Sequence, residues 1–191
     1  MLYIPQPTKY SASIVGVDPG TNTLGSCVLD VDIATLEITG IYTRTYVGEY
    51  LTKSESVVRL HGDRIARLMA LQHELSYLFT QVQPLFIGCE SPFINVRRPQ
   101  AYGALVQAVE AVRSAVIAYN TCAQFRLVEP LLVKTAVGAK TSADKEAVWQ
   151  AVLNIPEIMK HLGSFHPDEH SVDSIAVAYY ILKQIRTNPL Y

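Results

Sequence analysis

The chain has 191 residues, is 49% hydrophobic and carries a formal charge of −1. That size and apolar share suit one domain with a sizeable core. The near-zero charge excludes a protein drawn to nucleic acid or an acidic membrane by its overall field, so any nucleic-acid surface has to be a local patch of Lys and Arg.

Residues 1–12 read as a loose leader, and residues 13–191 as a single domain. The first ten residues are polar and proline-containing, unlike a signal peptide, and no apolar run approaches the length of a membrane span. Cys27, Cys89 and Cys122 are far apart, with no CxxC spacing. They read as free thiols of a reducing compartment, which predicts a cytoplasmic protein with no membrane contact.

Strands are predicted over 13–18, 23–31 and 36–47. The first is the apolar run Ile14 to Val17, closed by Asp18 and then at once by Pro19-Gly20, a pair that forces a turn. The third is rich in β-branched and tyrosine residues. Three strands with short connections make an antiparallel meander. Apolar residues at helical spacing then predict one long helix over 54–81, ended by Pro84. A second buried strand, 85–90, again finishes on an acid, Glu90, and again meets a turn, Ser91-Pro92. A helix over 99–120, a strand over 124–128 and a short helix near 131–137 follow. Ser142 looks like the cap of a helix over 142–153. Pro167, Asp168 and Glu169 open a last helix running to about 186. A meander followed by alternating helices and strands argues a mixed α/β sheet with helices on its faces.

Asp18 and Glu90 each end an apolar strand, and sites in open α/β sheets form beyond the carboxyl ends of strands. If the strands are neighbours, the two carboxylates meet and need a shared proton or cation. His170 and Asp173 lie three residues apart, on one face of the last helix near its start. Two strand-end acids plus a helix-borne His and Asp make a plausible cage for two hard cations. Two such ions, roughly 3.5–4 Å apart, serve phosphodiester displacement.

These residues resemble the RuvC Holliday-junction resolvases of the RNase H-like superfamily. The matching pieces are VGVDPGTNTLG on the first strand, IGCESPF on the fourth, HSVDSIAVAYY on the last helix, and VKTAVG with SADKEAV before that helix. The resemblance runs from about residue 14 to 180 and implies an RNase H-like five-stranded mixed sheet, three antiparallel strands and then parallel ones, flanked by helices. It implies that Asp18, Glu90, His170 and Asp173 are the catalytic residues that hold metal, two Mg²⁺ ions with Mn²⁺ as a substitute. It further implies that Phe93 wedges into the junction and that Lys134 and Lys145 contact phosphate. Arg97, Arg98 and Lys140 are added as local basic charge for DNA. The expected activity is that of a crossover junction endodeoxyribonuclease, which hydrolyses two strands symmetrically and leaves 5′-phosphates. The expected partner is four-way or other branched DNA, held by a homodimer, with no small-molecule substrate. Ala104, Ala108, Ala111, Ala115 and Ala118 form a small-residue face on the 99–120 helix, which suits either a partner helix or the chain's own sheet. Two rival readings stay open: an ATP-dependent phosphotransferase of the actin-like or sugar-kinase type, suggested by Asp-x-Gly-Thr after a strand, and a non-catalytic junction-binding protein.

Overall fold

The computed structural model describes residues 10–94 and 99–188. The predicted leader's residues 1–9 lie outside them, but its end does not: β1 starts at Ser11 (Ser11–Asp18). β2 (Thr23–Asp32) and β3 (Ile38–Val47) complete the meander. The sheet order is β3-β2-β1-β4-β5, with β4 at Phe86–Glu90 and β5 at Gln124–Val128. β1, β2 and β3 pair antiparallel, whereas β4 and β5 run parallel to β1. This is the expected mixed five-stranded sheet.

The helix expected over 54–81 is broken. After a single 3₁₀ turn at Leu51–Lys53, α1 (Glu55–His61) ends where α2 (Asp63–Val82) begins. Gly62 separates them at φ +79°, a conformation that glycine adopts without the Cβ clash other residues suffer. Its amide closes the first helix on the Val58 carbonyl, and its carbonyl receives the Ala66 amide. Helical spacing persists across the break, so periodicity could not reveal it.

α3 spans Pro99–Tyr119 and α4 Pro130–Ala136. α5 (Lys145–Leu153) starts later than expected, because its cap is Asp144, not Ser142: the Asp144 carboxylate accepts from the Ala147 amide at 2.9 Å. α6 (Pro156–Leu162) is a helix the reading missed, opened by a proline in its first turn. α7 (Glu169–Thr187) is capped by Asp168, whose carboxylate accepts from the Ser171 amide at 2.8 Å.

Alternation along the strands divides the core in two. Val15, Val17, Leu24, Val28, Ile87 and Cys89 pack against α2 and α3. Ile14, Cys27 and Leu29 face α7, with α5 and α6 beyond it. Ala108 and Ala115 are buried with Val109, Val112 and Val116, where α3 meets α2. The small-residue face of α3 is thus used inside the chain's own fold at Ala108 and Ala115, half-buried at Ala104 and Ala111, and exposed at Ala118. α3 is also a described helix long and apolar enough to span a membrane, with mean hydropathy 1.2 over its most apolar window. The expectation that no apolar run reaches that length is therefore corrected, although one side of α3 is fixed in the core. The far end of α7 is tied by Arg186, which donates to both Glu157 carboxylate oxygens and to the Leu36 carbonyl, joining α6, α7 and the β2–β3 turn.

α7 lies directly on the backbone of β1, β2 and β4. A methyl group at Gly16 would meet the Ser174 carbonyl oxygen and the Ala178 amide; one at Gly25 would meet the His170 carbonyl. One at Gly88 would meet the Ile181 and Val177 side chains. Backbone cannot yield as a flexible side chain can, so Gly16→Ala should cost at least about 3 kcal/mol in urea unfolding. Gly103→Ala, where the added methyl meets no described atom within 4 Å on a helix, should instead stabilise by about 0.5–1 kcal/mol. Equal effects of the two substitutions would contradict this packing.

Candidate active site

Val17 of β1 sits beside Cys89 of β4 in parallel register, so the next residues along, Asp18 and Glu90, end adjacent strands on the side facing α7. α7 enters over the same strand ends. His170 lies in its first turn, and Asp173 follows three residues on, one turn further along the helix. All four predicted side chains line one cleft of about 1090 Å³, together with Thr23, Phe93, Lys134 and Lys145.

His170 makes the shortest link in the group. Its Nδ1 is 2.8 Å from Asp18 Oδ2, and its Nε2 is 2.8 Å from Thr23 Oγ1. The bond to Asp18 raises the imidazole's pKa, partly opposed by burial. Among the described residues, neither Glu90 nor Asp173 has an ion pair. Burial, then repulsion from Asp18 and Asp173, pushes the Glu90 carboxyl up to about 8. Burial and then Asp18 push Asp173 up to about 6. Lys134 and Lys145 pull both down without offsetting this.

The lysines are held by other groups. Lys134 Nζ donates to the Ala143 carbonyl at 2.7 Å, and Lys145 pairs with Glu169. Phe93 is 52% exposed at the cleft, and so is available for contact with a ligand. Lys140 is exposed on the α4–α5 loop and does not line the cleft. Arg97 and Arg98 lie outside the described residues.

Three carboxylates and an imidazole form the oxygen-rich donor set that a hard divalent cation takes. Burial has raised two of those carboxylates, which is the behaviour of acids lacking positive charge beside them. The donor chemistry therefore fits Mg²⁺ or Mn²⁺. Among the described residues no three His, Cys, Asp or Glu groups converge closely enough to chelate an ion as they stand. Side-chain adjustment is needed, and Asp18 would have to share or release its bond to His170.

No family model and no curated protein sequence matches the chain. Solved structures do. Thermus thermophilus RuvC is 20% identical, with a TM-score of 0.65 over 92% of this chain and 96% of that one. The same protein solved in complex with a Holliday junction substrate gives 19% identity and a TM-score of 0.66, over 93% and 96%. Fowlpox virus resolvase, in complex with substrate Holliday junction DNA, gives 10% identity and a TM-score of 0.53, over 91% and 98%. The fold is that of RuvC.

Residues that the sequence reading missed complete the frame around the cleft. Thr23 holds the far nitrogen of His170. Thr45 donates to the cap carboxylate of Asp168 at 2.7 Å, which fixes the start of α7 to β3. Asn22 accepts from Arg67 at 3.2 Å, which ties the loop after Asp18 to α2. A hydroxyl or amide beside the Asp18 turn was the available signal, but its partners are distant in sequence.

The raised acids have a measurable consequence. A carboxyl whose folded pKa is above its ordinary value holds extra protons in the folded state. Stability then falls as pH rises from about 4.5 through about 8, the range set by Glu90. Chelator-treated protein should lose about 3–5 kcal/mol across that range. Glu90→Gln should flatten the slope, and Mg²⁺ should restore stability at the alkaline end. Denaturant unfolding at several pH values checks this; an identical slope in Glu90→Gln would contradict it.

Proposed function

We propose that the protein is a divalent-metal-dependent endonuclease that resolves four-way DNA junctions. One observation carries the reading: Asp18, Glu90, His170 and Asp173, drawn from two strands and a helix, line a single cleft with two lysines and an exposed aromatic ring. Support comes from the shared fold, since RuvC and the viral resolvase were both solved with Holliday junctions. The near-neutral net charge gives no global attraction to DNA, so phosphate contact falls to local cations.

Each residue has a role that its position supports. Asp18, Glu90 and Asp173 would hold the ions, Mg²⁺ by preference, with His170 as a further ligand or proton carrier. When bound, the ions supply water activation and charge stabilisation for hydrolysis, which leaves a 5′-phosphate. Lys134 and Lys145 face the cleft and offset the charge of an incoming phosphate. Phe93, exposed at the rim, is placed to stack on an unpaired base or wedge into the branch point; aromatic rings pack against bases whatever the sequence. Symmetric cutting of two strands calls for two copies. We place their contact on the outward side of α3, where Tyr102 and Ile117 are exposed, because Ala108 and Ala115 are already buried in the chain's own core. Cys27 and Cys89 are buried free thiols, in keeping with the cytoplasmic setting we propose.

A labelled four-way junction tests the reading. With Mg²⁺ the protein should cut two opposed strands, and with a chelator none. Asp18→Asn should cut at least about 100-fold more slowly, since an ion's stabilisation of the transition state is worth several kcal/mol. Gel-shift binding of the junction should persist in that variant. Wild-type cutting by Asp18→Asn would refute the assignment, and cutting that persists in chelator would refute the metal dependence.

A further inference from the structure

The cleft holds one contact that the nuclease reading does not use, the Thr23 hydroxyl on the far nitrogen of His170. Thr23 opens β2 and pairs with Val47 of β3. The hydroxyl is therefore placed by the sheet. On the other side of the ring, an ionised Asp18 carboxylate can only accept. Nδ1 must then carry a hydrogen to make its 2.8 Å bond. In a neutral ring that leaves Nε2 bare and the Thr23 hydroxyl donates to it; in a charged ring Nε2 carries a hydrogen and the hydroxyl accepts, so the contact holds in either state.

We propose that Thr23 is a positioning residue for His170. By holding Nε2, it keeps Nδ1 facing Asp18 and the other acids, so that Nδ1 is the nitrogen offered to a divalent ion. This rests on the reading of the cleft as a divalent-ion site. For Nδ1 to become a ligand it needs a free lone pair. The ring then gives up its Nδ1 proton to solvent and carries one at Nε2, which leaves it neutral. Nε2–H now donates to the Thr23 oxygen. A hydroxyl can serve in both arrangements, because it donates in the first and accepts in the second. Neither a methyl group nor a carboxylate can do this. Partners of this kind orient a ligating histidine and set its tautomer.

Three variants test the inference. Thr23→Val keeps the branched shape that suits a strand and removes only the hydroxyl, Thr23→Ala is a smaller deletion, and Thr23→Ser keeps the hydroxyl. The first readout is the ¹⁵N spectrum of the His170 ring in chelator-treated protein, assigned by its loss in His170→Gln. The wild type should show one set of ring signals, and Thr23→Val should show more than one, because the ring is no longer held at Nε2. The second is calorimetric Mn²⁺ binding, which should weaken by about tenfold in Thr23→Val and recover in Thr23→Ser. If circular dichroism shows that Thr23→Val does not fold, Thr23→Ala takes its place. Wild-type ring signals and Mn²⁺ affinity in the variant lacking the hydroxyl would overturn the inference, as would Thr23→Ser behaving like Thr23→Val. If the wild-type protein binds no Mn²⁺, it is the nuclease reading that fails. The ring spectra still judge Thr23 by themselves, and an unchanged set of ring signals in Thr23→Val overturns its role.

Discussion

The site depends on a helix pressed onto bare backbone. α7 crosses β1, β2 and β4 where Gly16, Gly25 and Gly88 present no side chain, and any methyl at the first two would strike helix backbone. This close approach brings the start of α7 level with the ends of β1 and β4. His170 and Asp173 then stand beside Asp18 and Glu90, and a wider helix–sheet spacing would separate them. Packing and chemistry share the same residues: the strand that carries Asp18 also carries Gly16, and the strand that carries Glu90 also carries Gly88.

That arrangement works against the stability of the isolated chain. Placing Glu90 and Asp173 near Asp18, partly out of water, raises the pKa of both. Lys134 and Lys145 reduce the strain only in part, because each is bonded elsewhere, to the Ala143 carbonyl and to Glu169. A protein needing only to fold would have little reason to gather these acids. A protein that handles phosphate through divalent cations needs them together, and clusters of perturbed carboxylates mark such sites. The bond between His170 and Asp18 is the present compromise: it gives one carboxylate a partner at the expense of a ready-made chelating cluster.

Much of this was legible in the residues. The acid after an apolar run, followed by a turn that contains proline, placed Asp18 and Glu90 at strand ends, and three-residue spacing put His170 and Asp173 on one helix face. The strand-strand-strand order followed from turn chemistry. What escaped depended on partners far apart in the chain. Gly62 broke a helix that periodicity carried straight through. Asp144, not the more obvious Ser142, captured the start of α5, because the cap is decided by which oxygen reaches the Ala147 amide. The glycines under α7 read only as weak points in strands until the helix was laid over them. The alanines of α3 left two outcomes open, and the packing against α2 takes Ala108 and Ala115 into the chain's own core. Thr23 carried no signal of its own, since its partner is 147 residues away.

The most direct test is a crystal structure of the protein with Mn²⁺, using the ion's anomalous scattering to locate it. The account predicts anomalous density in the cleft, bonded to Asp18 and at least one of Glu90 and Asp173, with the ion taking the place of the hydrogen bond between His170 and Asp18. Density elsewhere on the surface with none in this cleft, at saturating Mn²⁺, would contradict it.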